Sequence, residues 1–377
     1  MLKDLFNKLG ALLKAPQQSS PLPPSPLEGH SLPWQDTLAA IEDLKKMAAE
    51  HRGAFTIHLA LGNLYRAQGD LDQAIAARSS LLDNPDVTAE QKGRIFLELG
   101  RDYKRSGLLD RAEDMFAKTE EMLGRDPVLL NEMASLAAAS QNHEQAASLF
   151  AEVDKPVAQA HHIVQQAKTM ARNGDQERSA WLVRKALKVS PGSVEAWMTR
   201  MIQAYESADW KLLSRYFTQG LSAVEPRLRF LLLEGLTQHM FTQRSPQELF
   251  SPVVPPEAGQ TLVQVIAAHP PDVHLLYYGA WIQIQLGNTS QAKTDLQHCC
   301  ELDPEFWPAR LELLGLFAEE DRLSPTCQEH LDYILQRGRQ VKKFVCAKCG
   351  LKLDQIFFQC PRCRYWHSIA FLKTLDS

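Results

Sequence analysis

Apolar side chains recur every three or four positions through most of the chain, which is the period of an amphipathic helix. The pattern holds across residues 34–340, where Ala, Leu, Glu, Gln and Lys dominate and strand-like alternation is scarce. This part of the chain therefore predicts an all-α body built from many short helices.

Small and aromatic positions repeat along this helical body at a fixed interval. Gly62 and Gly100 are each followed by Tyr three positions later and by Ala twelve positions later. Further small and aromatic members follow at the 34-residue period of the tetratricopeptide repeat: Ala134, Ala146, Phe150 and Ala180. In such a hairpin the small residue lets the first helix approach the second, the aromatic ring fills the groove between them, and Pro stops the second helix. We therefore predict a superhelical tetratricopeptide solenoid of about eight or nine hairpins, with the period disturbed between residues 200 and 270.

The N-terminus differs from this body. Residues 1–15 place their Leu and Phe side chains on one helical face and three Lys on the other, which predicts a short amphipathic helix able to contact a membrane surface. Residues 16–33 contain repeated Pro and predict a semi-extended linker. No run of about 18 apolar residues occurs in the sequence, so we expect peripheral contact rather than a membrane span.

The C-terminal residues 341–377 carry the clearest chemical signal. Two Cys-x-x-Cys pairs lie ten residues apart and consist of Cys346, Cys349, Cys360 and Cys363. Such turns place two sulfurs on one side of a tight loop, and two of them make a tetrahedral four-sulfur metal site. We predict a rubredoxin-like knuckle of short β-hairpins, with Gly350 fitted to the first turn. Residues Leu351–Gln359, which include Ile356, Phe357 and Phe358, are suited to the strands between the turns. Zinc and iron both accept this geometry, and the closed ligand set indicates a structural or electron-transfer site.

Composition narrows the function classes. The chain has 377 residues, 45% of them hydrophobic, with a formal net charge of −4 and seven cysteines. Disorder of the whole chain, a global nucleic-acid binder and a disulfide scaffold are thereby excluded. No phosphate-binding loop, dinucleotide fingerprint, zinc-protease motif or nucleophile elbow is present, so we expect no enzyme.

Other reactive side chains give weaker signals. His161 and His162 are adjacent and so cannot ligate from one helix face; we expect them at the surface or in a groove. Cys299, Cys300 and Cys327 are expected to be buried free thiols.

Helical hairpins followed by a terminal four-cysteine knuckle resemble the lipopolysaccharide assembly protein B family. The resemblance is clearest in LGNLYRAQG (61–69), LELGRDY (97–103) and GLLDRAE (107–113), and in the knuckles Cys346–Gly350 and Cys360–Trp366. It implies that Cys346, Cys349, Cys360 and Cys363 bind one iron ion. It also implies a non-enzymatic adaptor on the cytoplasmic face of the inner membrane, which promotes turnover of LpxC by the protease FtsH and so regulates lipopolysaccharide biosynthesis.

Three alternatives stay open at this point. The first is a scaffold with a different protein client, and the second is a nucleic-acid-binding protein that uses the modestly basic C-terminal ribbon. The third is an electron carrier with a four-sulfur site, although a solenoid is an unusual fusion for that role.

Overall fold

The structure is a computed structural model that describes residues 40–47, 55–242, 254–320, 325–339 and 341–372. The predicted amphipathic helix 1–15 and linker 16–33 lie outside the described residues. The chain divides into two compact units, Met1–Gln91 and Lys92–Ser377.

The described part of the body is helical. In the first unit residues 40–47 are helical and are followed by α1 (Phe55–Gln68) and α2 (Leu71–Leu82). Helix α3 (Ala89–Arg105) begins at the end of this unit and continues into the second. The second unit continues with α4 (Leu109–Leu123), α5 (Pro127–Ala139), α6 (His143–Glu152), α7 (Pro156–Arg172), α8 (Gln176–Val189), α9 (Val194–Glu206), α10 (Trp210–Ala223), α11 (Phe230–Thr242), α12 (Pro256–Ala268), α13 (Val273–Gln285), α14 (Thr289–Leu302), α15 (Trp307–Glu320) and α16 (Pro325–Arg339). Odd-numbered helices are the first and even-numbered helices the second of a hairpin, except that α12 packs on α10 and the residues that join α11 to α12 lie outside the described part of the chain.

The turns inside the hairpins explain why the helices end where they do. Gly69, Gly174 and Gly287 have positive φ values of 89°, 87° and 78°, which only glycine adopts without steric cost. The next residue is Asp or Asn; the carboxylates of Asp70 and Asp175 accept hydrogen bonds from backbone N–H groups in the first turn of the second helix. The dipeptide thus ends one helix and starts the next.

Close approach within a hairpin is visible at the repeated glycine. A Cβ at Gly100 would overlap the ring of Phe116, which is 1% exposed. Ala112 on the same helix is fully buried. The predicted roles of the small and aromatic positions are therefore confirmed in this hairpin.

Successive hairpins of the second unit pack through their first helices. Helices α7, α9, α11 and α13 contact one another in sequence order. Helix α11 begins with an apolar run, and its residues Phe230–Leu233 are at most 2% exposed. These side chains are enclosed by the neighbouring helices and by the C-terminal knuckle, because Phe344 and Phe371 of the knuckle pack on Phe230.

The knuckle holds a three-stranded antiparallel sheet in the order β2-β1-β3. The strands are β1 (Phe344–Cys346), β2 (Lys352–Leu353) and β3 (Ile369–Phe371), and Phe344 pairs with both Leu353 and Phe371. A strand between the two cysteine turns is present as β2, but the prediction is wrong for Ile356, Phe357 and Phe358: this segment is irregular, and Phe357 and Phe358 turn their rings to the core instead. The other partner strand of β1, β3, comes after the second cysteine turn.

The predicted fold class is confirmed: the chain is mostly helical, with a small C-terminal region of short strands. Helices also continue through the region where the period is disturbed, although Pro252 lies outside the described residues. Among the residues that the structure describes, no helix combines the length and the hydropathy that a membrane span needs.

Candidate metal centre

Two matching turns bring the four predicted cysteines together. In the first, the N–H of Gly350 donates to the carbonyl of Cys346 at 2.9 Å; in the second, the N–H of Arg364 donates to the carbonyl of Cys360 at 2.9 Å. Gly350 and Arg364 occupy equivalent positions and have φ values of 71° and 61°. The left-handed conformation expected at Gly350 is therefore present in both turns, and it lets each chain reverse directly after its second sulfur.

The four sulfurs fit a tetrahedral metal ion. Their Sγ atoms all lie within 4.8 Å of one another, with Cys346 and Cys363 at 3.6 Å and Cys349 and Cys360 at 3.7 Å. Metal–sulfur bonds of about 2.3 Å in a regular tetrahedron separate the sulfurs by about 3.8 Å. Cys346 and Cys360 are buried, whereas Cys349 and Cys363 are partly exposed, so one edge of the site faces solvent.

The polar environment supports a bound cation. Burial raises the pKa of the Cys346 thiol, but Ser368 and the N–H groups of Cys349 and Lys348 outweigh it and lower the pKa to about 6. The thiol of Cys346 donates to the hydroxyl oxygen of Ser368 at 3.2 Å, and after loss of the thiol proton this hydroxyl can turn to donate to the sulfur. The N–H of Tyr365 stabilises a thiolate at Cys363, yet burial and the three neighbouring sulfurs raise its pKa. Without a cation, the four thiols therefore do not all lose their protons at neutral pH. A bound metal ion stabilises the four thiolates and so favours deprotonation of all four thiols.

The knuckle is docked on the first helices of the hairpins through a buried polar clamp. Glu195 on α9 is 1% exposed, and its two oxygens lie 3.1 Å from Nδ1 of His161 on α7 and 3.3 Å from Nε2 of His367 in the knuckle. Burial alone would raise the pKa of Glu195, but the hydrogen bonds from these two histidines outweigh it and lower the pKa to about 2. One carboxylate thus joins two helices and the knuckle. Arg227 donates to the carbonyl of His367 at 2.8 Å and extends the clamp.

Aromatic rings pack beside this clamp. The ring of Trp366 meets His161 edge-on, with centroids 4.9 Å apart. His162 is 6% exposed, stacks on Phe150 and lies 3.3 Å from His143 between their Nδ1 atoms. Burial lowers the pKa of His162 to about 3, which keeps this ring neutral. Of the predicted surface or groove position, the surface is wrong for His162, because this ring is buried among α6, α7 and Trp366 of the knuckle.

On the other side the sheet shares one hydrophobic core with the helices. Phe344 and Phe371 pack against Phe230 of α11 with ring centroids 6.0 and 4.8 Å away. The indole N–H of Trp307 on α15 donates to the carbonyl of Leu372 at 2.9 Å. The core that includes Cys346, Cys360 and Phe344 is continuous with that of α9–α15. Helix packing therefore contributes to the stability of the knuckle, in addition to any metal.

The remaining thiols are not part of this site. Cys299 is fully buried, its thiol donates to the carbonyl of Val273 at 3.4 Å, and burial raises its pKa to about 12. Cys300 is only partly buried, so the expectation of a buried thiol is wrong for it. The side chain of Cys327 lies outside the described residues.

Sequence reasoning did not find the clamp. Glu195 lies in the first turn of a helix, where acidic residues are common for their effect on the helix dipole. Its partners His161 and His367 are far away in the sequence. One signal was present in the sequence. Glu195 lies two positions after the capping Ser193, and the positions next to it on the helix are apolar, which indicates a buried carboxylate.

Comparison with known proteins agrees with this architecture. A family model of the tetratricopeptide repeat matches residues 280–306. Lipopolysaccharide assembly protein B of Escherichia coli strain K12 is 25% identical over 366 residues, which cover 89% of this chain and 86% of that protein. The protein of the same name from Haemophilus influenzae strain Rd is 22% identical over 333 residues, covering 85% and 80%. The predicted resemblance to lipopolysaccharide assembly protein B is therefore confirmed.

A solved structure is also similar. The C-terminal part of a tetratricopeptide repeat-containing protein from Cytophaga hutchinsonii is 14% identical, with a TM-score of 0.39, and covers 71% of this chain and 91% of that one.

Proposed function

We propose that this protein is a non-enzymatic adaptor that regulates lipopolysaccharide biosynthesis by promoting FtsH-dependent turnover of LpxC. The observation that carries the proposal is the match to lipopolysaccharide assembly protein B along nearly the whole chain. Tetratricopeptide hairpins bind protein segments and carry no chemistry of their own, which fits an adaptor. The amphipathic pattern of residues 1–15 supports peripheral placement at the cytoplasmic face of the inner membrane.

We also infer that Cys346, Cys349, Cys360 and Cys363 hold one iron ion with a structural role. The sulfur separations of 3.6 and 3.7 Å suit a four-thiolate site, and the resemblance favours iron over zinc. When bound, the metal would cross-link the two turns and stabilise the knuckle against unfolding. The protein's own groups hold the thiolates ready: backbone N–H groups and Ser368 face the sulfur of Cys346.

The docked knuckle changes where a client can bind. First helices of tetratricopeptide hairpins ordinarily offer the partner-binding surface, but here the knuckle contacts α7, α9, α11, α13 and α15. A client must therefore use helix faces that the knuckle leaves uncovered. The packing of Trp366 against His161 also removes the larger aromatic ring that a nucleic acid would need for base stacking, so the nucleic-acid alternative is disfavoured.

The decisive experiment is the half-life of LpxC in the native host with and without this protein. We expect LpxC to accumulate and to live longer after depletion, and to return to its normal half-life when the wild-type gene is restored. An unchanged half-life would refute the LpxC assignment and leave a scaffold for another client.

Metal identity needs a separate measurement. Protein purified from its own host is expected to contain about one iron per chain and to show the visible sulfur-to-iron absorption of a ferric four-thiolate site. A colourless protein containing zinc would overturn the iron assignment without affecting the adaptor proposal.

A further inference from the structure

Beyond the knuckle, the first helices of the last hairpins form an open groove. It has a volume of about 590 Å³, within the range of ligand-binding clefts. Its walls come from one face each of α11, α13 and α15, where lining positions recur at three- and four-residue steps. Lys343, Asp354 and Phe371 of the knuckle also line it. The groove therefore exists in this form only while the knuckle is docked.

Aromatic rings dominate the walls of this groove. Phe241 of α11 is 50% exposed and lies against Trp281 of α13 with ring centroids 5.6 Å apart. Tyr277 and Trp307 add two further rings. A half-exposed phenylalanine that adjoins several other aromatic rings in one groove is a feature of binding sites, where aromatic side chains cluster.

The charged side chains that line the groove favour some classes of ligand over others. Among the described residues, three carboxylates, of Glu234, Glu312 and Asp354, line the groove against one ammonium, of Lys343. Glu234 is held in place because Tyr278 donates to one of its oxygens and Gln238 to the other, the latter at 2.8 Å. Fixed carboxylates among aromatic faces attract cations and repel phosphates and carboxylates.

We propose that this acidic aromatic groove binds an exposed client segment in which Arg or Lys alternates with apolar side chains. This inference rests on the proposed adaptor function and names the chemistry of the client segment. Guanidinium or ammonium groups would lie over Trp281 and Phe241 and near the carboxylates, while the apolar neighbours cover the remaining ring surface. The carboxamide of Gln285 can bond the backbone of such a segment.

The test uses the full metal-loaded chain and two short fluorescein-labelled peptides. In one, leucine alternates with arginine; in the other, glutamate replaces every arginine. Fluorescence anisotropy is expected to show binding of the arginine peptide, weakening as salt rises, and no binding of the glutamate peptide. Equal binding of both peptides, or of neither, would overturn the proposal.

Variants then locate the binding site. Trp281→Ala and Phe241→Ala are each expected to weaken binding of the arginine peptide about tenfold. The double variant Glu312→Gln, Asp354→Asn should weaken it similarly and flatten the salt dependence. Trp181→Ala on α8 is the control, because Trp181 is 52% exposed and lies outside the groove. Circular dichroism should show that all variants are folded. If the groove variants then bind the arginine peptide as tightly as this control, the proposed location is refuted. Phe241→Ala removes only a half-exposed ring, so weaker peptide binding by this variant is not explained by misfolding.

A measurement in the host separates this inference from the proposed function. Suppose that depletion of the protein lengthens the half-life of LpxC and that the Trp281→Ala variant returns the half-life to its normal value. The adaptor function then stands and the groove inference fails. If depletion changes nothing, the LpxC assignment fails, and the peptide titration alone decides on the groove.

Discussion

Replacing the buried carboxylate that joins the knuckle to the helices should loosen the knuckle selectively. Glu195→Gln keeps the volume of the side chain but removes the charge that faces His161 and His367. A fall in the carboxyl pKa from an ordinary 4.5 to about 2 corresponds to about 3 kcal/mol of stabilisation at neutral pH. Two hydrogen bonds to a buried charge lead to a similar magnitude. We therefore expect a loss of about 2 to 3 kcal/mol.

Limited trypsin digestion measures this loss where it occurs. Lys342 is exposed and directly precedes the sheet, so cleavage there reports transient release of the knuckle. When release and return are fast compared with cleavage, the rate follows the open population. A cost of about 3 kcal/mol then accelerates cleavage about a hundredfold. The matched control is Glu113→Gln, an exposed position in the middle of α4, which should leave the rate within about twofold.

The pH dependence tests the electrostatic origin of the effect. Because the pKa of Glu195 is depressed in the folded protein, its stabilisation is complete above the ordinary carboxyl pKa of 4.5 and is lost as pH falls toward 2. Urea unfolding of the wild type and of Glu195→Gln should therefore differ clearly at pH 5 and above and converge as the pH falls below 4.5. Equal trypsin rates for the variants Glu195→Gln and Glu113→Gln, or a difference in urea unfolding that persists undiminished as the pH falls to about 2, would refute the reasoning.

Packing and the proposed metal site lead to three further predictions. Cys360→Ser should abolish stoichiometric metal binding, measured by elemental analysis, whereas Cys300→Ser should retain it; full metal content in the first variant would exclude Cys360 as a ligand. Phe344→Ala removes a fully buried ring between the sheet and α11 and should cost about 3 to 5 kcal/mol in urea unfolding, and a cost below about 1 kcal/mol would contradict the shared core. Gly100→Ala places a methyl group into the neighbouring ring on α4 and should destabilise the protein by about 1 to 3 kcal/mol, although alanine favours helix; a stabilised variant would show that the hairpin can open at no cost.

Patterns of residues close together in the sequence were enough to predict the helical body and the cysteine cluster. Gly100 and Phe116 are sixteen positions apart in the sequence and belong to one hairpin, so their contact follows from a short-range rule. The cysteine turns are equally local. Glu195 and His367 could not be paired in this way, since their contact depends on how far the hairpins curve and on where the knuckle lies among them. The strand prediction at Ile356–Phe358 failed for a related reason: apolar runs indicate burial, and here the rings are buried against helices rather than within a sheet.

The shared core links the metal site to the surface that the helices present. Phe371 packs on α11 and α13 and also lines the acidic aromatic groove. If the proposed metal is lost, the cysteine turns lose their cross-link, and the sheet that carries this ring is held only by packing and by the Glu195 clamp. Release of the sheet would then remove one wall of the groove and expose the apolar face of α11 at the same time. Metal content, client binding and exposure of hydrophobic surface are therefore expected to change together, because one small sheet supports all three.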